Sequence, residues 1–159
     1  MDAVDPTLAS LLAVDTQWDR LQRDEMFLAI AKVVSLRGTC RRAQVGAVIV
    51  KENRIISTGY NGSAPGMPHC YEDGCLEDVN GGCTRTVHAE ANSILWAARF
   101  GVSVEDSVMY STHSPCLYCA KMIVGAGIVK VTYLHPYRDP AGLDYMHNCG
   151  LRYCHLQVG

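Results

Sequence analysis

The chain has 159 residues, 48% of them hydrophobic and 19% charged. That is one domain's length and an ordinary globular composition, which excludes a disordered, collagen-like or coiled-coil chain. A formal net charge of −2 lacks the basic balance of proteins that grip long nucleic acids. No apolar run approaches the ~20 residues of a membrane helix. The N-terminus shows no basic-then-apolar leader, so the expected compartment is the cytosol, with no membrane partner.

Residues 1–21 contain Pro6 and no sustained period, and read as an N-terminal extension with room for one short helix. A single domain is expected over 22–159. From Leu21 the pattern turns helical, with Phe27, Ile30, Ala31 and Val34 on one face and Gly38 as a stop. Val45–Val50 and Ile55–Tyr60 flank the polar Lys51–Arg54 and predict a β-hairpin, its first strand buried on both faces. Residues 61–86 are rich in Gly and Pro and follow no period. A loop of that length inside a compact domain needs a physical reason. Beyond it come a helix marked by Ala91, Ile94, Leu95 and Ala98 and ending near Gly101, and a strand over Ser107–Thr112. A helix then runs from Pro115 to about Ala126, followed by a strand over Val129–Leu134. A short helix over Ala141–Asn148 and a last strand over Leu151–Gln157 complete the chain. Alternating helices and strands predict an α/β domain with helices on both faces of one sheet.

Eight cysteines are many for a reduced compartment, where disulfides are uncommon and clustered Cys beside His binds metal. Two motifs fall at expected helix starts: His88-Ala89-Glu90 and Pro115-Cys116-Leu117-Tyr118-Cys119. Cys116 and Cys119 are three apart and share one helical face. Helix N-termini carry partial positive charge, which favours thiolates. His88, Cys116 and Cys119 therefore make three ligands for a catalytic zinc whose fourth position is left to water. Such a zinc turns its water into a hydroxide nucleophile near neutral pH. Glu90 sits beside the metal without being needed as a ligand, and suits proton transfer. A closed structural site with Glu90 merely solvated is the bland alternative.

Cys70, Cys75 and Cys83 fall within 14 residues of the aperiodic loop, and Cys40 follows the first helix. A structural zinc on Cys40, Cys70, Cys75 and Cys83, with His69 as an alternate ligand, would staple the 61–86 insertion and offset its ordering entropy. Cys149 and Cys154 read as small core hydrophobes. Tyr118 is expected beside the base pocket or half-buried in the core.

The H-x-E…P-C-x-x-C pattern resembles the zinc deaminase signature. Gly46-Ala-Val-Ile49, Gly59-Tyr-Asn-Gly62, Thr86–Asn92 and Cys119–Ile123 resemble the deoxycytidylate (dCMP) deaminases of bacteria and their viruses. The resemblance covers about residues 22–159. It implies a three-layer α/β/α cytidine deaminase-like fold with a mixed five-stranded sheet. It also implies hydrolytic deamination of dCMP to dUMP and ammonia by zinc-bound hydroxide, supplying dUMP for thymidylate synthesis. In the residues, it implies a sugar contact from Asn61, an N–H from Ala89 to the pyrimidine O2, and a Ser114 carbonyl for the leaving amine. It supports the second zinc, with ligand types that vary among members. It implies activation by dCTP and inhibition by dTTP, with Tyr60, Asn61 and Gly62 as the associated turn, in a homo-oligomer that is often a hexamer.

A dCMP substrate needs a cationic pocket for its phosphate, and Arg's planar fork suits one. Arg85, just ahead of His88, is the first candidate, with Arg41 and Arg42 behind it. His113 reads as a polar strand end or a phosphate or sugar contact. Tyr137 and Arg138 follow a strand on the side where ligands gather in α/β sheets. Other readings are deamination of a 5-substituted dCMP, of free cytidine or deoxycytidine, or of a base within a polynucleotide. A non-enzymatic reading is a double-zinc nucleotide-binding scaffold.

Overall fold

The computed structural model describes residues 6–12, 20–79 and 81–157. Its helices are α1 (Pro6–Leu12), α2 (Arg23–Ser35), α3 (Cys70–Asp73), α4 (Ala89–Arg99), α5 (Leu117–Gly125) and α6 (Ala141–Asn148). The strands are β1 (Gly46–Lys51), β2 (Arg54–Tyr60), β3 (Gly62–Ser63), β4 (Thr86–Val87), β5 (Val108–His113), β6 (Lys130–His135) and β7 (Arg152–His155). Of the N-terminal extension, α1 is described; its other residues up to Asp19 lie outside the described ones.

Five strands form one mixed sheet in the order β2-β1-β5-β6-β7. β1 pairs antiparallel with both β2 and β5, while β5–β6 and β6–β7 are parallel. The hairpin closes through Glu52 and Asn53, both at positive φ, as a two-residue turn matching the strands' right-handed twist requires. β1 is buried from Gly46 through Val50, as its apolar run requires.

The alternation along β1 sends Val48 and Val50 to one face and Ile49 to the other. Val48 and Val50 pack with Phe27, Leu28 and Ala31 of α2 and with Tyr110 and Leu134. Ile49 joins Met109, Val131, Ala97 of α4, Ala120 and Ile123 of α5, and Met146 of α6. The result is three layers, α2 on one face and α4, α5 and α6 on the other. The start of α2 is capped by Glu25, whose Oε2 accepts the Gln22 N–H at 3.0 Å. Tyr110 and Lys130 both donate to Asp24, at 2.6 and 3.0 Å, tying α2 to β5 and β6.

The 61–86 segment is not structureless. β3 pairs antiparallel with β4 and thereby closes the excursion at its base, and α3 forms one turn inside it. Two-residue strands carry no period, which is why the sequence reads as loop there. No helix among the described residues is long and apolar enough to cross a membrane.

Candidate active site

His88 is the residue at which the chain turns into α4, and Cys116 is its counterpart at α5; both hold extended backbone just before the first helical turn. Cys119 lies within that first turn of α5. Two helix N-termini therefore deliver three donor atoms to one point. The Cys116 and Cys119 sulfurs lie 3.5 and 3.6 Å from His88 Nδ1. All three donor atoms fall within 4.8 Å of one another, and no fourth ligand joins them among the described residues. A tetrahedral zinc with bonds of about 2.0–2.1 Å to nitrogen and about 2.3 Å to sulfur spaces its N and S ligands about 3.5 Å apart. The observed separations fit that ion.

The electrostatics fit it as well. Hydrogen bonding from Cys119 outweighs burial and pushes the Cys116 thiol down to about 4, with His88 adding to the effect. The Cys116 sulfur in turn raises His88. Cys119 is raised, because it is the thiol that donates to Cys116 and because it is buried. A divalent cation would be held by both sulfurs as thiolates, so its binding would be favoured as pH rises.

Glu90 is buried, with 4% of its surface exposed. Burial pushes its carboxyl up to about 7, against the pull of its own backbone N–H and of His88. It stands next to the three-donor group without belonging to it. His88, Glu90 and Cys116 line one cavity of about 720 Å³, together with Ala89, Asn61, His113, Ser114 and Tyr118. That is ample for a mononucleotide.

The other sequence candidates separate into those the cavity includes and those it does not. Ala89 is fully buried as the first residue of α4, where a backbone N–H has no intrahelical partner. The Ser114 N–H donates to His135 O at 2.8 Å, and its hydroxyl accepts from the Tyr137 N–H at 2.7 Å. Tyr118 lines the cavity at its mouth and is 78% exposed, so it is not the half-buried core aromatic of the alternative reading. Asn61 is a latch as well as a wall. Its Oδ1 accepts from Val45 N–H and its Nδ2 donates to Ala43 O, each at 2.8 Å. Tyr60 lies instead in a shallow groove beside Trp96 and Phe100, and Gly62 is buried in β3.

Arg85 corrects the sequence reading. Its side chain is 3% exposed, forms an ion pair with Asp73 at 3.0 Å and donates to Pro68 O at 3.2 Å. It ties α3 to the base of the insertion and is absent from the cavity lining. Arg41 likewise donates elsewhere, to Tyr71 O at 2.7 Å. Arg42 lines the cavity but is held by Glu77 and Gly81 O. Arg138, singled out in the sequence only by its position after a strand, lines the cavity with its guanidinium over the Tyr137 ring, 5.8 Å from the centroid. His113 lines the same cavity; burial, with His135 and Lys32 nearby, pushes its pKa down to about 4 and keeps the ring neutral.

In the insertion, the sulfurs of Cys70, Cys75 and Cys83 lie within 4.8 Å of one another. Cys70 and Cys83 are 3.7 Å apart, close to the roughly 3.8 Å between two thiolates on a tetrahedral zinc. Burial and the Cys83 sulfur lift Cys70 to about 12. Burial also opposes ionisation of Cys83, but backbone N–H groups of Arg85 and Thr86 outweigh it and bring that thiol to about 7. Cys40 and His69 do not join the three within that distance. Cys40 acts on Cys75 through space, while His69 keeps a buried Nδ1 with no hydrogen-bond partner.

Comparison with known proteins agrees with this geometry. Residues 21–135 match the family model for the cytidine and deoxycytidylate deaminase zinc-binding region. ComE operon protein 2 of Bacillus subtilis is 43% identical over 120 residues, covering 76% of this chain and 63% of that protein. Deoxycytidylate deaminase of Enterobacteria phage T4 is 38% identical over 163 residues, covering 78% of this chain and 84% of that protein. The crystal structure of dCMP deaminase from the cyanophage S-TIM5, in complex with dCMP and dUMP, superimposes with a TM-score of 0.73 at 32% identity, over 84% of this chain and 94% of that one. The chain thus spans less than two thirds of the Bacillus relative and most of the phage enzymes. Fold, donor set and sequence agree: the chain belongs to the cytidine and deoxycytidylate deaminase zinc-binding family.

Proposed function

We propose that this protein is a zinc-dependent dCMP deaminase, converting dCMP and water to dUMP and ammonia. The observation that carries this reading is a buried carboxyl, Glu90, raised to about 7 beside a three-donor group, two of whose members, His88 and Cys116, line the same cavity. His88, Cys116 and Cys119 would hold the ion. Bound there, zinc supplies a water whose pKa is lowered to about 7.

The chain's own groups do the rest. Glu90 accepts a proton at its carboxylate from the attacking water and returns it toward the departing amine; a carboxyl titrating near neutrality can do both. The Ala89 N–H would hold the pyrimidine O2, and the Ser114 carbonyl would receive the amine. Asn61 would meet the sugar while it latches the 38–45 loop. Arg138 takes the phosphate role first assigned to Arg85: it stands at the rim, and its one described contact is the Tyr137 ring. Tyr118 and Tyr137 flank the mouth. The relatives named deoxycytidylate deaminase and the dCMP-bound phage structure support the choice of substrate.

A second, structural zinc would sit on Cys70, Cys75 and Cys83, its fourth ligand Cys40 or His69, and staple the 61–86 insertion of a single 22–159 domain. Regulation by dCTP and dTTP near Tyr60–Gly62, and assembly into a homo-oligomer, belong to the same proposal through the family resemblance.

Ammonia release from a panel of dCMP, cytidine, dCTP, 5-methyl-dCMP and a deoxyoligonucleotide, with and without dCTP and dTTP, tests it. The expected result is turnover of dCMP well above the others. Turnover confined to the oligonucleotide or the free nucleoside would overturn the substrate choice, and turnover of none would overturn the enzymatic reading.

A further inference from the structure

We propose that Gly59 and Gly142 are positioning residues, two spacers that fix the separation of the helix starts carrying the metal ligands. Gly59 lies in β2, opposite the first turn of α4. A methyl group there would overlap Ala89 O and stand 2.5 Å from Ser93 N. Gly142 lies in α6, against the turn that opens α5. A methyl group there would overlap Pro115 O and stand 2.9 Å from the carbonyl carbon of Cys116. In both places the obstruction is backbone, so no flexible side chain can swing aside to relieve it.

The two contacts converge on one geometry. β2 seats the turn that presents His88 and Glu90; α6 seats the turn that presents Cys116 and Cys119. The two turns meet at the site itself, where His88 faces the Cys116 and Cys119 sulfurs. A side chain at either glycine displaces one ligand-bearing turn relative to the other. Donor separations of 3.5 and 3.6 Å leave little room for such a shift. Perturbing the groups that orient metal ligands typically weakens metal binding by about 10–100-fold.

Gly46 supplies an internal comparison. A methyl group there would overlap Ala31 O and stand 2.6 Å from Ser35 N. The conflict is similar, but it falls between β1 and α2, away from both ligand turns. If close packing alone were at stake, all three glycines would behave alike.

The inference rests on the metal reading of His88, Cys116 and Cys119. The test is cadmium NMR and chelator competition on the full chain, because a His/Cys/Cys site and a Cys-rich site give separate resonances. Gly59→Ala and Gly142→Ala are expected to shift or broaden the resonance of the His/Cys/Cys site. They should also release metal from it at least about tenfold more readily, with the Cys-rich resonance unchanged. Gly46→Ala is expected to lower the melting temperature and leave both resonances in place. A wild-type resonance and retention in a folded Gly59→Ala or Gly142→Ala protein would overturn the proposal, as would an equal change in Gly46→Ala. Failure of both site variants to fold, with Gly46→Ala folded, would also overturn it, since the glycines would then serve the fold as a whole. A wild-type chain giving no His/Cys/Cys resonance would instead strike the metal reading itself.

Discussion

Replacing Glu90 by Gln should make the metal-free protein more stable while nearly abolishing turnover. The carboxyl is buried, and burial raises its pKa from 4.5 to about 7. That rise corresponds to about 3 kcal/mol for holding the charge in the fold. The sign follows from proton binding: between those two values the folded chain binds more protons than the unfolded one. The carboxyl's contribution is therefore full below pH 4.5 and is lost as pH rises through 7. Gln has nearly the same shape and never ionises. At pH 8 the metal-free variant should exceed the metal-free wild type by about 3 kcal/mol, or about 6–12 °C in melting temperature for a chain of this size. At pH 4.5 the two should coincide. With zinc restored, the variant should keep its metal, because Glu90 is outside the donor group. Its kcat for dCMP should fall by about 10³, within the range for a lost general acid–base. Melting curves across pH, metal content and ammonia release make the three readouts. Equal melting temperatures at pH 8 would refute the burial argument, and a kcat within tenfold of wild type with zinc retained would remove Glu90 from the chemistry.

Arg138→Ala should raise KM for dCMP by about 10–100-fold, as loss of a hydrogen bond to a charged group does, and leave residual deoxycytidine turnover unchanged; steady-state kinetics on the two substrates decide, and an unchanged KM would exclude the phosphate contact. Cys75→Ser should lose one zinc per chain by elemental analysis and keep the other; loss of both would show that the two sites are not independent. In the same measurement, only one of Cys40→Ser and His69→Ala should weaken the second zinc, which identifies its fourth ligand. The His113 imidazole should titrate near pH 4 in an NMR experiment on the free protein; a midpoint near 6.5 would mean the ring is not desolvated. Because its folded pKa lies below the ordinary 6.5, it contributes a loss of stability as pH falls from there toward 4.

The layer order was legible because its signals are periodic. The apolar run Val45–Val50 predicted a strand buried on both faces, and β1 is one. The two metal-ligand motifs were legible because they sit at helix starts, where Pro115 and the turn from extended backbone mark the place. The β3–β4 pairing was not legible, since two residues leave no alternation to read. Arg85 misled for a related reason. Proximity to His88 along the chain fixes where a residue is but not where its side chain goes, and successive side chains on extended backbone face opposite ways. Arg138 had only its position after β6 to recommend it, and recognising its place needs the Tyr137 ring beneath it. Gly59 opens the Gly59-Tyr-Asn-Gly62 motif and Gly142 lies in no motif, but neither context shows the packing role, because what distinguishes both glycines is a neighbour distant in sequence.

The pairing of β1 with β5, which sets Ala47 opposite Ser111, has a consequence for biogenesis. Elements up to α4 carry the imidazole and the acid, and those from β5 onward carry the sulfurs. Each half gathers from near neighbours along the chain, whereas their union waits on a contact spanning more than sixty positions, the kind that forms slowly. An ion meeting the nascent polypeptide before that union finds only a lone ring or a thiol pair. Capture at the proposed centre would thus be a reward for completed topology rather than a nucleus for it.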